Sequence, residues 1–201
     1  MAKLALNKST LNHENQRLKS FRQFVPALDL KRKQILAARM KSRRVLEQLQ
    51  QDEHQINASV AEQIPMLAQT RLDLNSLIRI QRVEHQLDNL VGIELPRVAR
   101  VELDRAQYSR LAMPQWVDRA VDLMGQMLEL KVLQQVERVR LERLEEALQK
   151  TTQRLNLFDK VLIPRTESNI RRIRIALSDA ERAGVVRAKI AKGKRARVAL
   201  Q

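Results

Sequence analysis

The sequence predicts an all-α chain: a long antiparallel two-helix coiled coil formed by its N- and C-terminal helices, with a small central β-hairpin insert. Three observations predict it. Apolar residues recur at heptad spacing near both ends of the chain. Between them lies a stretch of short alternation broken by turn residues and proline. Composition supplies the third: charged residues reach 30%, aromatics 2%, and glycines number four, so a thick core cannot be filled and long helices can. A compact helical bundle shares this composition and is the plainer alternative.

Residues 1–66 form the first long helix. Leu11, Leu18, Val25, Leu46 and Val60 share one heptad position, and Phe21, Leu28, Ile35, Leu49 and Ile56 share the one three residues later. That is a seam of about seven heptads. Arg32, Arg39 and Glu53 fall on the first position, where the neighbouring Leu36 and Met40 are expected to carry the packing. The charged stems either snorkel out of an imperfect seam or face another protein. Pro65 ends or kinks this helix.

Residues 67–112 change character. Ile78 and Ile80 alternate with polar residues, and a second apolar run passes through Ile93, Leu95, Val98, Val101 and Leu103. Asn89 and Gly92 lie between them as turn-permissive residues, and Pro96 forbids a central strand. A two-stranded hairpin between 77 and 103 follows, and it needs a helix or another subunit to dock on.

Residues 113–201 form the second long helix, starting near Met113-Pro114. Its stripe runs through Leu141, Leu144, Leu148, Leu155, Phe158 and Leu162, then slips forward by one residue to Ile163, Ile170, Ile173 and Leu177. A slip of this kind acts as a stutter and locally unwinds a supercoil. Pro26 and Pro164 interrupt the two stripes. In a register where facing residue numbers add to roughly 190, both prolines sit at one level and bend both helices there. Each long helix would span roughly 90 to 110 Å. Beyond Gly184 the stripe fades, and Arg187, Lys189, Lys192, Lys194, Arg195 and Arg197 have no acidic neighbour, as in a solvated helix end.

A formal net charge of +15 calls for an acidic partner. Nucleic acid is the usual candidate, but the basic residues are spread around long helices, and five aromatics cannot build a stacking platform. No specific nucleic acid is therefore expected. Cysteine is absent, which removes disulfides and thiolate ligands. His13, His54 and His85 are far apart and no glycine-rich phosphate loop appears, so neither a catalytic centre nor a cofactor or metal site is expected. The uncharged runs are too short for a membrane-spanning helix, so the chain is expected to be cytoplasmic and not membrane-inserted.

Three separated segments carry a resemblance: LNKSTL, LK and PALDLKRKQIL within Leu6 to Leu36, NLVGIELPRV from Asn89 to Val98, and QRLNLFDKVLIPRTESNIRRIRIAL from Gln153 to Leu177. In this order they resemble the D subunits of the V-type and archaeal-type rotary ATPases, the central stalk of the rotor. The family usually has Ala-Leu-Glu where this chain has Leu157-Phe158-Asp159, and an acidic segment where it has Ser178-Asp179-Ala180. The resemblance implies a non-catalytic shaft that rises into a hexamer of catalytic and non-catalytic subunits. It also implies contacts with the small F subunit of the central stalk and with the funnel-shaped subunit above the membrane ring. The chain would lie peripherally on the cytoplasmic face and transmit torque for proton or sodium transport or ATP synthesis. In that role Lys31, Arg32, Arg165, Arg171 and Arg172 would face acidic surfaces of the hexamer through weak, exposed pairs. A basic coiled-coil protein that binds nucleic acid or acts as a scaffold is the competing reading.

Overall fold

In the computed structural model of the chain, residues 4–69, 74, 76–109 and 113–198 are described. Helix α1 spans Lys8–Gln63, a 3-10 turn covers Pro65–Gln69, strands β1 and β2 span Ile78–Leu90 and Ile93–Arg105, and helix α2 spans Trp116–Leu157. A π turn at Phe158–Leu162 leads into helix α3, Ile163–Val198. Among the described residues helix takes 76% and strand 14%. The chain is therefore helical with a sizeable hairpin rather than all-α. Two compact units divide it, one of residues 1–30 with 151–201 and one of residues 31–150.

Local chemistry sets the helix ends. The Asn7 side chain accepts the Thr10 amide at 2.7 Å, satisfying one of the N–H groups that the first turn of α1 leaves free. α1 stops at Gln63 because Pro65, two residues on, has no N–H to donate and disfavours helix in the residue before it. α2 begins at Trp116, later than Met113-Pro114, with the Pro114 carbonyl accepting the Val117 amide at 3.0 Å.

In the unit of residues 1–30 and 151–201, Ile170 and Ile173 are buried, together with the polar Glu14, Thr151 and Thr166. Phe158 packs edge-on against Phe21 at 5.4 Å and against Phe24 at 6.2 Å. Phe24, two residues before Pro26, thus meets the π turn that precedes Pro164. The one-residue slip of the apolar stripe falls at this π turn, closed by the Ile163 amide on the Phe158 carbonyl. A π turn holds one residue more than an α turn, so the slip is absorbed inside the helix backbone. It lies immediately before Pro164, whose ring would otherwise press on a carbonyl of the preceding turn.

The unit of residues 31–150 holds three apolar clusters. Ile35 of α1, Leu95 of β2 and Leu144 of α2 are fully buried against one another, with Leu90, Ile93 and Leu148 around them. Ile64, Ala120 and Leu123 form a second, and Leu77, Ile78, Val117 and Val121 a third. The hairpin is antiparallel, pairing Ile78 with Arg105 and Leu90 with Ile93, with irregularities between Ile80 and Arg82 and between Glu84 and His85. Its turn is Val91-Gly92, both at positive φ (52° and 81°), the geometry that matches the twist of a hairpin. Asn89 is therefore a strand residue and not a turn residue. Its side chain accepts the Gly92 amide at 2.9 Å and so closes the turn.

The strands are thirteen residues each, so the hairpin runs from 78 to 105, close to the expected 77 to 103, and α2 supplies a docking surface along the ribbon. Near its base, Ile78 and Leu103 lie against Gly125, where an added Cβ would sit 3.1 Å and 3.4 Å from their methyl groups. Gly125→Leu is expected to force the ribbon off α2 at a cost of about 1–3 kcal/mol, read as a lower denaturation midpoint and faster exchange of β1 and β2 amides. Leu144→Ala, which opens a cavity shared by three elements, is expected to cost about 2–5 kcal/mol by urea denaturation of the full chain.

Candidate partner-binding surface

The residues that stand on seam positions but are not apolar define how the helices meet. Arg39 does not snorkel away: its guanidinium bonds Glu145 of α2 at 2.9 Å. Leu36 and Met40, expected to pack there, are exposed. Glu53 receives the Lys131 ammonium and the Gln134 amide, the latter at 2.8 Å. Gln134 is buried and its amide also donates to the Leu49 carbonyl at 3.0 Å. The Lys131 bond, then the Gln134 bond, hold the Glu53 carboxyl below its ordinary pKa of 4.5. In the other unit the buried Glu14 is bonded by Arg17 at 3.1 Å and by Asn169 at 3.4 Å. Buried charge is tolerable only when bonded in this way.

All the predicted seam residues are at least half-buried. Ile35, Leu144, Ile170 and Ile173 are buried, and Leu18, Phe21, Val25, Leu28, Leu46, Leu49, Ile56, Leu141, Leu148, Leu155, Phe158, Leu162, Ile163 and Leu177 are half-buried. The predicted basic contact residues divide between the units. Lys31 and Arg32 are half-buried on α1 in the unit of residues 31–150. Arg165, Arg171 and Arg172 are exposed on α3 in the other.

The hairpin presents a surface of mixed chemistry. Ile78 is buried against α2, whereas Ile80 is exposed. Close to the turn the buried residue is Leu95, which pairs with Asp88, while Leu87, paired with Pro96, is 63% exposed. A long two-stranded ribbon twists and its bulges add to the twist, so the side that is buried at the base is open near the tip. Three arginines fix the ribbon to α2: Arg140 bonds Asp88 at 3.2 Å and the Pro96 carbonyl at 3.4 Å, Arg143 bonds the Glu94 carbonyl at 2.9 Å, and Arg105 bonds Asp122 at 2.8 Å. Sequence periodicity did not single out Arg140 or Arg143, because both are polar positions on a polar face. The only signal was their placement one turn apart beside the Leu141–Leu144 stripe.

The described residues contain no group of His, Asp or Glu arranged to hold a metal ion. Nor does any described helix have the length and apolarity to cross a membrane. What the described residues offer is surface: an apolar and charged ribbon, and an excess of basic side chains on α1 and α3.

The family of ATP synthase D subunits matches residues 10–193. The chain belongs to this family. It is 28% identical over 192 residues to the V-type ATP synthase D subunit of Borreliella burgdorferi, a match covering 96% of this chain and 95% of that protein. It is 38% identical over 89 residues to the V-type ATP synthase D subunit of Chlamydia pneumoniae, covering 44% of this chain and 43% of that protein. A comparable stretch of the Chlamydia felis D subunit is 39% identical over 89 residues. The resemblance read from the three sequence segments thus holds across the chain, and membership among the D subunits gives it a general place in the central stalk of a rotary ATPase.

Within this D subunit the charged seam contact at Glu53 carries a pH signature. Its carboxyl is held below 4.5 in the folded chain, so its bonds stabilise the fold above that pH and the stabilisation is lost as the pH falls through the folded value. Glu53→Gln is expected to lower the denaturation midpoint at pH 7 and to lose that difference in acid. A difference that stays unchanged as the pH is taken down through the acid range would contradict it.

Proposed function

We propose that this chain is the rotor shaft of a V/A-type ATPase or ATP synthase, carrying torque between the ATP-hydrolysing hexamer and the ion-translocating membrane ring. In this reading α1 lies antiparallel to α2 and α3 as a two-helix coiled coil. Residues 1–66 and 113–201 make the shaft, and residues 67–112 hold the hairpin. The seam is the apolar set from Leu18 to Leu177 described above. The observation that carries the reading is the D-subunit match over residues 10–193, which takes in both ends of the chain and the hairpin together.

The chemistry supports it. A shaft that couples several catalytic sites to one orientation needs stiffness inside and weak, replaceable contacts outside. Buried apolar side chains stabilise by about 1.5–3 kcal/mol each. Bonded polar residues such as Gln134 and Glu53 set which turns face each other. Exposed ion pairs contribute only about 0–1 kcal/mol, so a basic exterior that includes Arg165, Arg171 and Arg172 can meet acidic surroundings without locking. The chain acts as a non-catalytic subunit, needs no cofactor of its own, and works at the cytoplasmic face of the membrane as part of the ATPase complex. Its partners are the subunits of the hexamer, the small F subunit beside the hairpin region, and the funnel-shaped subunit above the membrane ring.

Purification of the tagged chain from its own cells is expected to recover nucleotide-binding subunits in a fixed ratio, and the purified chain alone is expected to hydrolyse no ATP. Recovery of nucleic acid without those subunits would favour a basic coiled-coil nucleic-acid-binding or scaffolding protein.

A further inference from the structure

In the unit of residues 1–30 and 151–201, a groove of about 390 Å³ opens between α1 and α3. Its walls carry Arg22 from α1 and Arg171 and Arg174 from α3, and its apolar part is Leu18, Ile170 and Ile175. Ile170 is buried and Leu18 half-buried, whereas Ile175 is exposed, an aliphatic side chain left in water beside two guanidiniums. Glu167 is the one carboxylate of the lining, and it is taken by Arg22 at 2.7 Å. Arg171 and Arg174, three residues apart and so on one face of α3, have no ion-pair partner among the described residues.

We infer that this groove is a docking site for an acidic peptide segment of another protein, with two carboxylates on Arg171 and Arg174 and an aliphatic side chain between them on Leu18 and Ile175. Both halves of the lining argue for this occupant. The two guanidiniums supply forked donors suited to carboxylates. The aliphatic floor suits a peptide side chain and offers nothing to a phosphate backbone, which would ask for more cations, and no aromatic lines the groove for a base to stack on. The site is argued from its own residues. Assigning the occupant to a subunit of the surrounding hexamer rests on the shaft reading above.

The test uses the full-length chain and a short fluorescein-labelled peptide whose leucine stripe is flanked by glutamates, followed by anisotropy. Binding is expected, and it should weaken at least about tenfold in the double variant Arg171→Glu/Arg174→Glu and with a peptide carrying glutamine in place of glutamate. A charge-matched variant, Lys192→Glu/Lys194→Glu, should bind as the natural chain does, and circular dichroism melting of each variant checks that it is folded. Ile175→Asp, which leaves the arginines in place, should weaken binding as well. The inference is overturned if the tail variant loses as much as the groove variant, if the glutamine peptide binds equally, or if a single-stranded oligonucleotide displaces the peptide while binding through the same arginines. Recovery of ATPase subunits with the natural chain is scored separately: a failed peptide experiment beside successful recovery removes the groove and leaves the shaft. Peptide binding without recovery removes the shaft and leaves the groove.

Discussion

Helices whose apolar residues form only a stripe cannot be stable until the stripe is covered. In this chain, everything else follows from that constraint. Isolated helices gain little from propensity, and most of their stability comes from packing one face. The stripe of α1 finds its cover at Ile35, where Leu144 of α2 and Leu95 of β2 close over it so completely that none of the three touches solvent. The hairpin is thereby part of the helix packing, because removing Leu95 would open the α1–α2 contact from the side. This explains why a ribbon of two strands, marginal by itself, extends to thirteen residues per strand in this chain.

Covering a stripe fixes which faces meet but leaves sliding along the axis cheap, since one leucine resembles another one heptad on. Polar residues within the contact remove that freedom. Gln134 can satisfy its buried amide only where it reaches the Leu49 carbonyl and the Glu53 carboxylate of the facing helix, and Asn169 reaches Glu14 across the other unit, where Glu14 also keeps Arg17 of its own helix. A shift of one heptad would leave Gln134 buried without partners and take Asn169 from Glu14, at about 1–3 kcal/mol for each lost bond. The register is held by polar groups and the stability by apolar ones. For a D subunit proposed to carry torque, a contact that resists slipping is the property that counts.

How much of this was legible in the sequence depends on the length scale of the signal. Heptad spacing marks residues by their own neighbours, so the residues from Leu18 to Leu177 that it selected are all buried or half-buried. The one-residue slip before Ile163 was equally visible, although a stripe alone could not say whether supercoil unwinding or a π turn absorbs it. The hairpin is legible from alternation and turn residues, expected between 77 and 103 and running from Ile78 to Arg105; of the turn-permissive Asn89 and Gly92, Gly92 lies in the turn, and Val91 rather than Asn89 stands beside it. A β-branched residue at positive φ is rare enough that local preference points elsewhere. Residues that act across the chain are only partly legible. Arg39 and Glu53 stand out as charges on seam positions without revealing their partners, and Arg140 and Arg143 look like ordinary solvent-facing charges until their partners, dozens of residues away, are in place.

The proposed shaft requires the stripe of α1 to be covered by α2 and α3 running in the opposite direction. Because the chain has no cysteine, single pairs can be introduced without interference. Short thiol cross-linking of Glu14→Cys with Asn169→Cys, and separately of Glu53→Cys with Lys131→Cys, tests it most directly. Both pairs are expected to link efficiently within one chain, while Glu14→Cys with Lys131→Cys, the combination demanded by a parallel arrangement, is not. Efficient linking of that third pair, with neither of the first two forming, would contradict the antiparallel cover.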